Sequence, residues 1–470
     1  PLFVDENERT RTREEAHQMV SLNVEREEGK QSIRVGFTGQ RLTAYGGTVL
    51  WSAFLHKVRF RDVLKKVLPE KGRAHNALSP RDIAVGFIAG ILLGADKLTR
   101  ISWLSKDEAL HEVLGIRRMP SQSTFTRFFS RFRQPGAESL QQLYTWAMRR
   151  LPSRKRGYTL DLDSTALIHE DGHQEGVLTG YTRKGLKPCL HPLIAVLAEV
   201  KMVAGYWLRS GNCNDAGNVV ELCRSLLAQL PSQIRISLVR ADSGFVNEKL
   251  FELLDSKGIA YVVASALYAN VKRLCRHDDA AWQPTTMVGV DIQEVEWNRT
   301  GQRLIVIRQR IAQRPDAGGK LLFDVPGYRF QALITSLPDY HSPLDVWCTY
   351  NGRADCENRI REIGSQFGIR GLCCKRFWAT EAAHHLAIAA YNLCVLFQRE
   401  LGFSRKVELR TLRMQLFCRA AVWSRSQNAP TLRIGLSKEH HSWWNQVLDR
   451  LLSPLPPSLL RCNAAELVRA

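Results

Sequence analysis

The sequence predicts a mixed α/β fold, and three observations predict it. From Tyr158 to about Asn212, apolar and polar residues alternate with period two in short runs separated by turn residues. After that meander, helical and strand-like runs exchange, as in AGNVVELCRSLLAQL followed by ISLVRADSGF. Helical texture precedes and follows both. A strand meander that gives way to alternating helices and strands builds a sheet with helices on its faces.

The 470 residues divide by texture into five stretches. Residues 1–155 read as a helical, basic region. There SPRDIAVGFIAGILLGADKL offers Ser79 as N-cap and Pro80 at the first helical position. Its apolar run, Ile83 to Ala95, is too short to span a bilayer and suits a buried helix. In MPSQSTFTRFFSRFR, Ser121 or Ser123 caps a helix with Arg127, Arg131 and Arg133 on one side and Phe125, Phe128, Phe129 and Phe132 on the other. A short helix, a turn and an arginine-bearing helix fit a helix-turn-helix, which makes Arg127 and Arg131 candidate DNA contacts.

Residues 156–270 form the first part of the core. YTLDLDST is a strand with Tyr158, Leu160 and Leu162 on one face and Asp161 and Asp163 on the other. GVLTGYTR, HPLIAVLAEV and YWLRSGN continue as strands, and NEKLFELLDSKG is a helix ending at Gly258. Residues 271–340 return to β texture and read as an insertion. Residues 341–402 are helical and complete the core. Residues 403–470 are basic, with Trp423, Trp443 and Trp444 before a Pro-rich SPLPPSLL. No internal repeat is evident.

Lys and Arg number 66 against 46 Asp and Glu, a net charge of +20. Such a surplus implies a polyanionic partner, and nucleic acid leads. The basic residues are scattered rather than massed on one amphipathic helix, which argues against a membrane surface. The 11 cysteines form no CxxC pair, so they read as buried thiols in a reducing compartment rather than zinc ligands or disulfides. His169 and His173 fall in a turn, and His384 and His385 read as structural. The opening PLFVDENERTRTREE has no signal-peptide core, and Pro1 in place of Met implies that the start Met was removed or left out. The expected compartment is the cytoplasm.

Three acidic positions carry the chemistry. Asp163 and Asp242 each close a strand, and acids at strand ends converge on one sheet edge, where folds assemble divalent-metal sites. The third is Glu357. At about 100° per residue from Tyr350, Arg353, Glu357 and Arg361 share one polar stripe beside the apolar stripe of Cys356, Ile360, Ile363 and Phe367. The same projection turns Asp355, Arg359, Glu362 and Gln366 toward solvent.

Asp-Ser-Thr at 163–165, GYTRKGLKPCLHPL at 180–193, RSGN at 209–212, RADSGF at 240–245 and YNGRADCEN at 350–358 resemble a DDE transposase of bacterial insertion sequences. The narrower resemblance is to the branch with a Tyr-x2-Arg-x3-Glu-x6-Lys signature. It implies an RNase H-like catalytic core in which Asp163, Asp242 and Glu357 hold two Mg²⁺ ions, with Mn²⁺ able to substitute. It also implies that Tyr350 and Arg353 contact the phosphate backbone near the scissile bond. One position departs: Gly364 stands where the signature has Lys. By projection Gly364 faces the site, and Arg361 is the cation best placed to cover for it.

The expected protein is therefore a transposase that cuts at terminal inverted repeats and joins the ends to target DNA by two-metal-ion phosphodiester chemistry. Its partners are double-stranded DNA and, on paired DNA ends, a second copy; its place is the bacterial nucleoid. The alternatives are a metal-dependent nuclease without strand transfer and a silent transposase-derived DNA-binding protein. Within 271–340, Trp282 and Trp297 are candidates to stack on a flipped base, against a reading of both as core aromatics.

Overall fold

The computed structural model describes residues 20–453 apart from 28, 73, 171–172, 215–216, 277–281, 298–301, 312–326 and 427–428. The expected N-terminal helical region begins instead with strands. β1 (Val20–Arg26) and β2 (Gly29–Val35) form an antiparallel hairpin, and β3 (Arg41–Thr43) follows. The cause is local: Val20, Leu22 and Val24 alternate with polar residues, as do Ile33 and Val35. β3 pairs with a hairpin far along the chain, β16 (Ala421–Ser426) and β17 (Ala429–Ile434), in the order β17-β16-β3.

Helices occupy Thr48 to Met148. The apolar run from Ile83 lies in α1 (Pro80–Leu92), buried over nearly all its length, with Pro80 at its start and Ser79 at the N-cap position making no side-chain bond. α2 (Gln122–Phe129) is capped by Ser121, whose side chain accepts from Thr124 N–H. Phe125, Phe128, Phe129 and Phe132 pack in the core, while Arg127, Arg131 and Arg133 are exposed.

The central sheet is nine-stranded, in the order β12-β13-β14-β15-β11-β10-β4-β8-β9. β4 (Tyr158–Ser164) pairs antiparallel with β8 (Leu193–Leu197), and β8 with β9 (Met202–Trp207). Between β4 and β8, β5 (Leu167–Ile168), β6 (Leu178–Thr182) and β7 (Gly185–Leu190) make a small separate sheet. After β9 the chain returns through α3 (Val219–Gln229) to β10 (Ile236–Ala241), parallel to β4. α4 (Glu248–Ser256) then leads to β11 (Ala260–Ser265), parallel to β10. Leu193 to Leu197 are buried throughout, as expected of a strand covered on both faces.

The β texture of 271–340 extends this sheet. β12 (Gln283–Pro284), β13 (Val290–Trp297), β14 (Gln302–Arg310) and β15 (Tyr328–Thr335) continue it antiparallel, with β15 against β11. Trp282 is half-buried beneath Arg308 and beside Phe330, which is the core-aromatic arrangement. The Trp297 side chain lies outside the described residues.

α5 (Pro343–Asn351) and α6 (Ala354–Gln366) follow, broken at Gly352–Arg353. α7 (Phe377–Glu400) is buried over most of its length and closes the β9 edge. Asn392 accepts from Val203 N–H at 2.9 Å and donates to Val203 C=O at 2.8 Å, so a side chain supplies the strand partner that β9 lacks. Tyr206 O–H reaches His384 Nδ1 at 2.6 Å, and His384 Nε2 reaches Leu372 C=O at 2.7 Å. Both α7 histidines are structural. Among the described residues the cysteines are free, and no helix is long and apolar enough to cross a membrane.

Candidate active site

Strand register assembles the site. β4 and β10 are parallel neighbours in which Arg240 sits opposite Asp161. Two residues further along each chain, on the same face, come Asp163 and Asp242, so both acids arrive at the same end of the sheet. Asp242 leaves β10 into a turn, where its Oδ1 accepts from Gly244 N–H at 3.0 Å. Asp163 Oδ1 accepts from Ser164 N–H at 2.8 Å, which leaves Oδ2 for a side-chain partner.

The pair below them is closed. Arg240 donates to both oxygens of Asp161, at 2.6 and 2.8 Å, and through Nη1 to Thr349 C=O at 2.6 Å. That last bond ties the end of α5 to the sheet. Gly352 permits it, because a Cβ there would collide with the Arg240 guanidinium.

The break after α5 then directs Arg353 into the acids. Its side chain is buried, with Nη2 at 3.0 Å from Asp163 Oδ2 and 3.7 Å from Asp242 Oδ2, and Nη1 at 3.7 Å from Glu357 Oε1. Nη2 also donates to Leu162 C=O at 3.4 Å. The Asp163 carboxyl is pushed up to about 6 by burial, a rise that Arg353 opposes and Asp242 and Glu357 reinforce. Burial works against the charge of Arg353, but the neighbouring Asp163, Tyr350 and Asp242 outweigh it and hold the guanidinium above its ordinary value.

A cavity of about 440 Å³ opens beside this cluster, lined by Arg329, Gln331, Tyr350, Arg353 and Glu357 among others. Arg329 and Gln331 were absent from the sequence-derived site. Their signal was there: on β15 the alternation with Tyr328, Phe330, Ala332 and Ile334 puts Arg329 and Gln331 together on the opposite face, beside buried Leu333 and Thr335.

Asp163, Asp242, Glu357 and Arg353 thus come together, with Tyr350 at the rim. Arg361 does not join them; it is exposed and donates to Asn358 Oδ1 at 2.9 Å. Arg127 and Arg131 lie exposed in the helical region, Arg131 donating to Glu70 C=O at 2.6 Å.

Two expectations from the helical projection are overturned. Arg359 and Glu362 are buried, not solvated. Glu362 accepts from Arg359 at 3.1 Å, Lys406 at 2.5 Å and Leu409 N–H at 3.2 Å, because the 406–409 segment covers that face of α6. Gly364 is buried under Arg370 rather than turned to the site; a Cβ there would meet Arg370 Nε at 2.9 Å. The projection gives only the direction a residue faces; it shows neither the segments that cover the helix nor the separation of about two turns between Glu357 and Gly364.

Three carboxylates are the oxygen donors that Mg²⁺ or Mn²⁺ takes. Among the described residues, however, no group of three His, Cys, Asp or Glu is arranged to hold a metal ion. The acids are spread around a guanidinium. The donor set fits a divalent cation in its chemistry, and Arg353 stands among the three acids.

A family model described as transposase DDE domain group 1 matches residues 25–455. No curated protein matches the chain. Among solved structures, the cryo-EM structure of the piggyBac transposase synaptic complex with hairpin DNA is similar at 12% identity and a TM-score of 0.41, covering 92% of this chain and 88% of that one.

Proposed function

Because the chain belongs to the transposase DDE domain group 1 family, we propose that it is the transposase of a bacterial insertion sequence, cutting DNA at terminal inverted repeats and joining the ends to target DNA. The observation that carries this reading is the convergence of Asp163, Asp242 and Glu357 at one end of neighbouring parallel strands. The strand order β9-β8-β4-β10-β11, antiparallel and then parallel, supports an RNase H-like core.

In this reading the three carboxylates would hold two Mg²⁺ ions, or Mn²⁺ in their place, which would supply activation of a water or 3′-hydroxyl and stabilisation of the leaving oxygen. The chain's own residues do the rest. Asp163, shielded from water, and the more exposed Asp242 and Glu357 present oxygens from two strands and a helix. Tyr350 and Arg353, with Arg329 beside them on the cavity wall, meet the phosphates flanking the scissile bond. Arg127, Arg131 and Arg361 add phosphate contacts outside the cavity, in keeping with the charge of +20. A homodimer on paired ends, working at the bacterial nucleoid in the cytoplasm, completes the proposal.

The test is the full chain with a labelled terminal-repeat duplex, target plasmid and Mg²⁺. Joined products are expected, lost in Asp163→Asn, Asp242→Asn and Glu357→Gln while DNA is still bound. Cleavage without joining would make the protein a nuclease, and a mobility shift without cleavage a silent binder.

A further inference from the structure

We propose that Arg353 is the resident counter-cation of the unloaded site: it stands where divalent ions enter, holds the three carboxylates together in their absence, and is displaced when they bind. The proposal rests on reading Asp163, Asp242 and Glu357 as metal ligands.

The geometry separates Arg353 from an ordinary structural arginine. Charge-assisted N–H···O bonds run about 2.7–2.9 Å. Arg240 makes such bonds to both oxygens of Asp161 and a further one to Thr349 C=O. Arg353 divides its two terminal nitrogens among three acids, at 3.0, 3.7 and 3.7 Å. Its Nε, though buried, has no hydrogen-bond partner among the described residues. A buried donor left unbonded is unfavourable. A side chain that accepts that loss while centred on three acids is held by their summed charge more than by fitted bonds.

Charge explains why a cation must be there. Asp163, Asp242 and Glu357 surround one guanidinium, and without it three like charges would face each other with Asp163 shut off from water. A divalent ion meets the same need with more charge and shorter contacts, so ion and guanidinium compete for one place. The side chain has somewhere to go. Arg353 also lines the cavity of about 440 Å³ shared with Tyr350, Arg329 and Glu357. Its backbone sits at the break between α5 and α6, so the side chain can swing into that cavity while Glu357 stays on its helix. Arg353 is in this sense a positioning residue: it keeps the ligands gathered and sets how readily ions replace it.

The experiment measures Mn²⁺ binding to the full chain without DNA, by electron paramagnetic resonance of the free ion, with thermal unfolding in EDTA and in Mn²⁺ alongside. Arg353→Gln is expected to unfold at a lower temperature than wild type in EDTA and to bind Mn²⁺ at least tenfold more tightly. Arg353→Lys, whose single ammonium cannot span three acids, should fall between the two. Should Arg353→Gln not fold, a severalfold tightening in Arg353→Lys carries the same meaning. Mn²⁺ binding in either variant that is no tighter than wild type, yet still lost in Asp163→Asn, would overturn the counter-cation and leave the metal reading standing. Mn²⁺ binding that Asp163→Asn and Glu357→Gln leave unchanged would overturn the metal reading, and the proposal with it.

Discussion

Two arginine–aspartate contacts lie two residues apart on β4, and they are built on different principles. Asp161 and Arg240 form a closed pair: both oxygens are bonded, the guanidinium is further bonded to Thr349 C=O, and both residues are buried. Asp163 and Arg353 form an open cluster, with longer contacts, an unbonded Nε and two further acids sharing the charge. The closed pair has nothing left to offer a ligand, so it fixes the sheet to the helix above it. The open cluster shares one guanidinium among three acids, with Glu357 lining a cavity. Sequence alternation puts Asp161 and Asp163 on one face without distinguishing them; only the cross-strand partner does.

The largest expected effect is on stability, and it separates the two. Asp161→Asn strands Arg240 as a buried charge, and breaking one partner of a buried pair costs about 3–5 kcal/mol. Asp163→Asn leaves Arg353 with Asp242 and Glu357 and removes a carboxylate whose ionisation burial already opposes, so its cost should stay below about 1 kcal/mol. Urea unfolding of the two variants measures the difference. Equal costs would abolish the distinction between closed and open.

A second test uses a polar core that is closed but titratable. His384 donates from Nε2 to Leu372 C=O and accepts at Nδ1 from Tyr206 O–H, so it is neutral, and burial lowers its pKa to about 4. The folded value lies below the unfolded one. Its stabilising contribution is therefore complete above about pH 6.5 and lost as the pH falls toward 4, on the order of 3 kcal/mol. Nearby Glu381, pushed up to about 7 by burial, works in the opposite sense, its contribution fading as the pH rises from about 4.5 to 7. His384→Gln keeps a donor and an acceptor without the titration. Stability plotted between pH 6.5 and 4 should fall less steeply with decreasing pH in this variant than in wild type; parallel curves would mean His384 takes up its proton in the folded chain.

What was legible in the sequence was local. Alternation in YTLDLDST located β4, and the strand-end positions of Asp163 and Asp242 follow from counting along two strands that turn out to be parallel neighbours. What was not legible depended on distant partners. Glu362 is buried by Lys406 and Leu409, 44 and 47 residues further on, which no projection of one helix reveals. The four strands from Gln283 to Thr335 read as a separate insertion because their pairing to β11 is non-local. The β1–β2 hairpin was a different failure: its alternation was present and the helical texture around it prevailed. The break at Gly352–Arg353, which aims Arg353 into the acids, was likewise invisible to a projection that ran through it.

The segments that cover α6 set the smallest expected effects. The projection made Arg361 the cation substituting for the missing Lys. In the fold Arg361 is exposed and engaged with Asn358, outside the cluster around Arg353. Arg370 instead covers Gly364. With DNA saturating, Arg361→Ala should therefore change the cleavage rate by no more than about twofold, and stability by about 0.5 kcal/mol or less, as for most surface substitutions. Gly364→Ala should be near neutral: helix propensity favours Ala by about 0.5–1 kcal/mol, and the new Cβ meets only the flexible end of Arg370. Gly364→Lys should give no gain in cleavage, because its side chain would enter the space Arg370 occupies. A tenfold loss in Arg361→Ala, or faster cleavage in Gly364→Lys, would show that DNA follows the Glu357 face of α6 beyond its first turns, and would extend the open cluster along the helix.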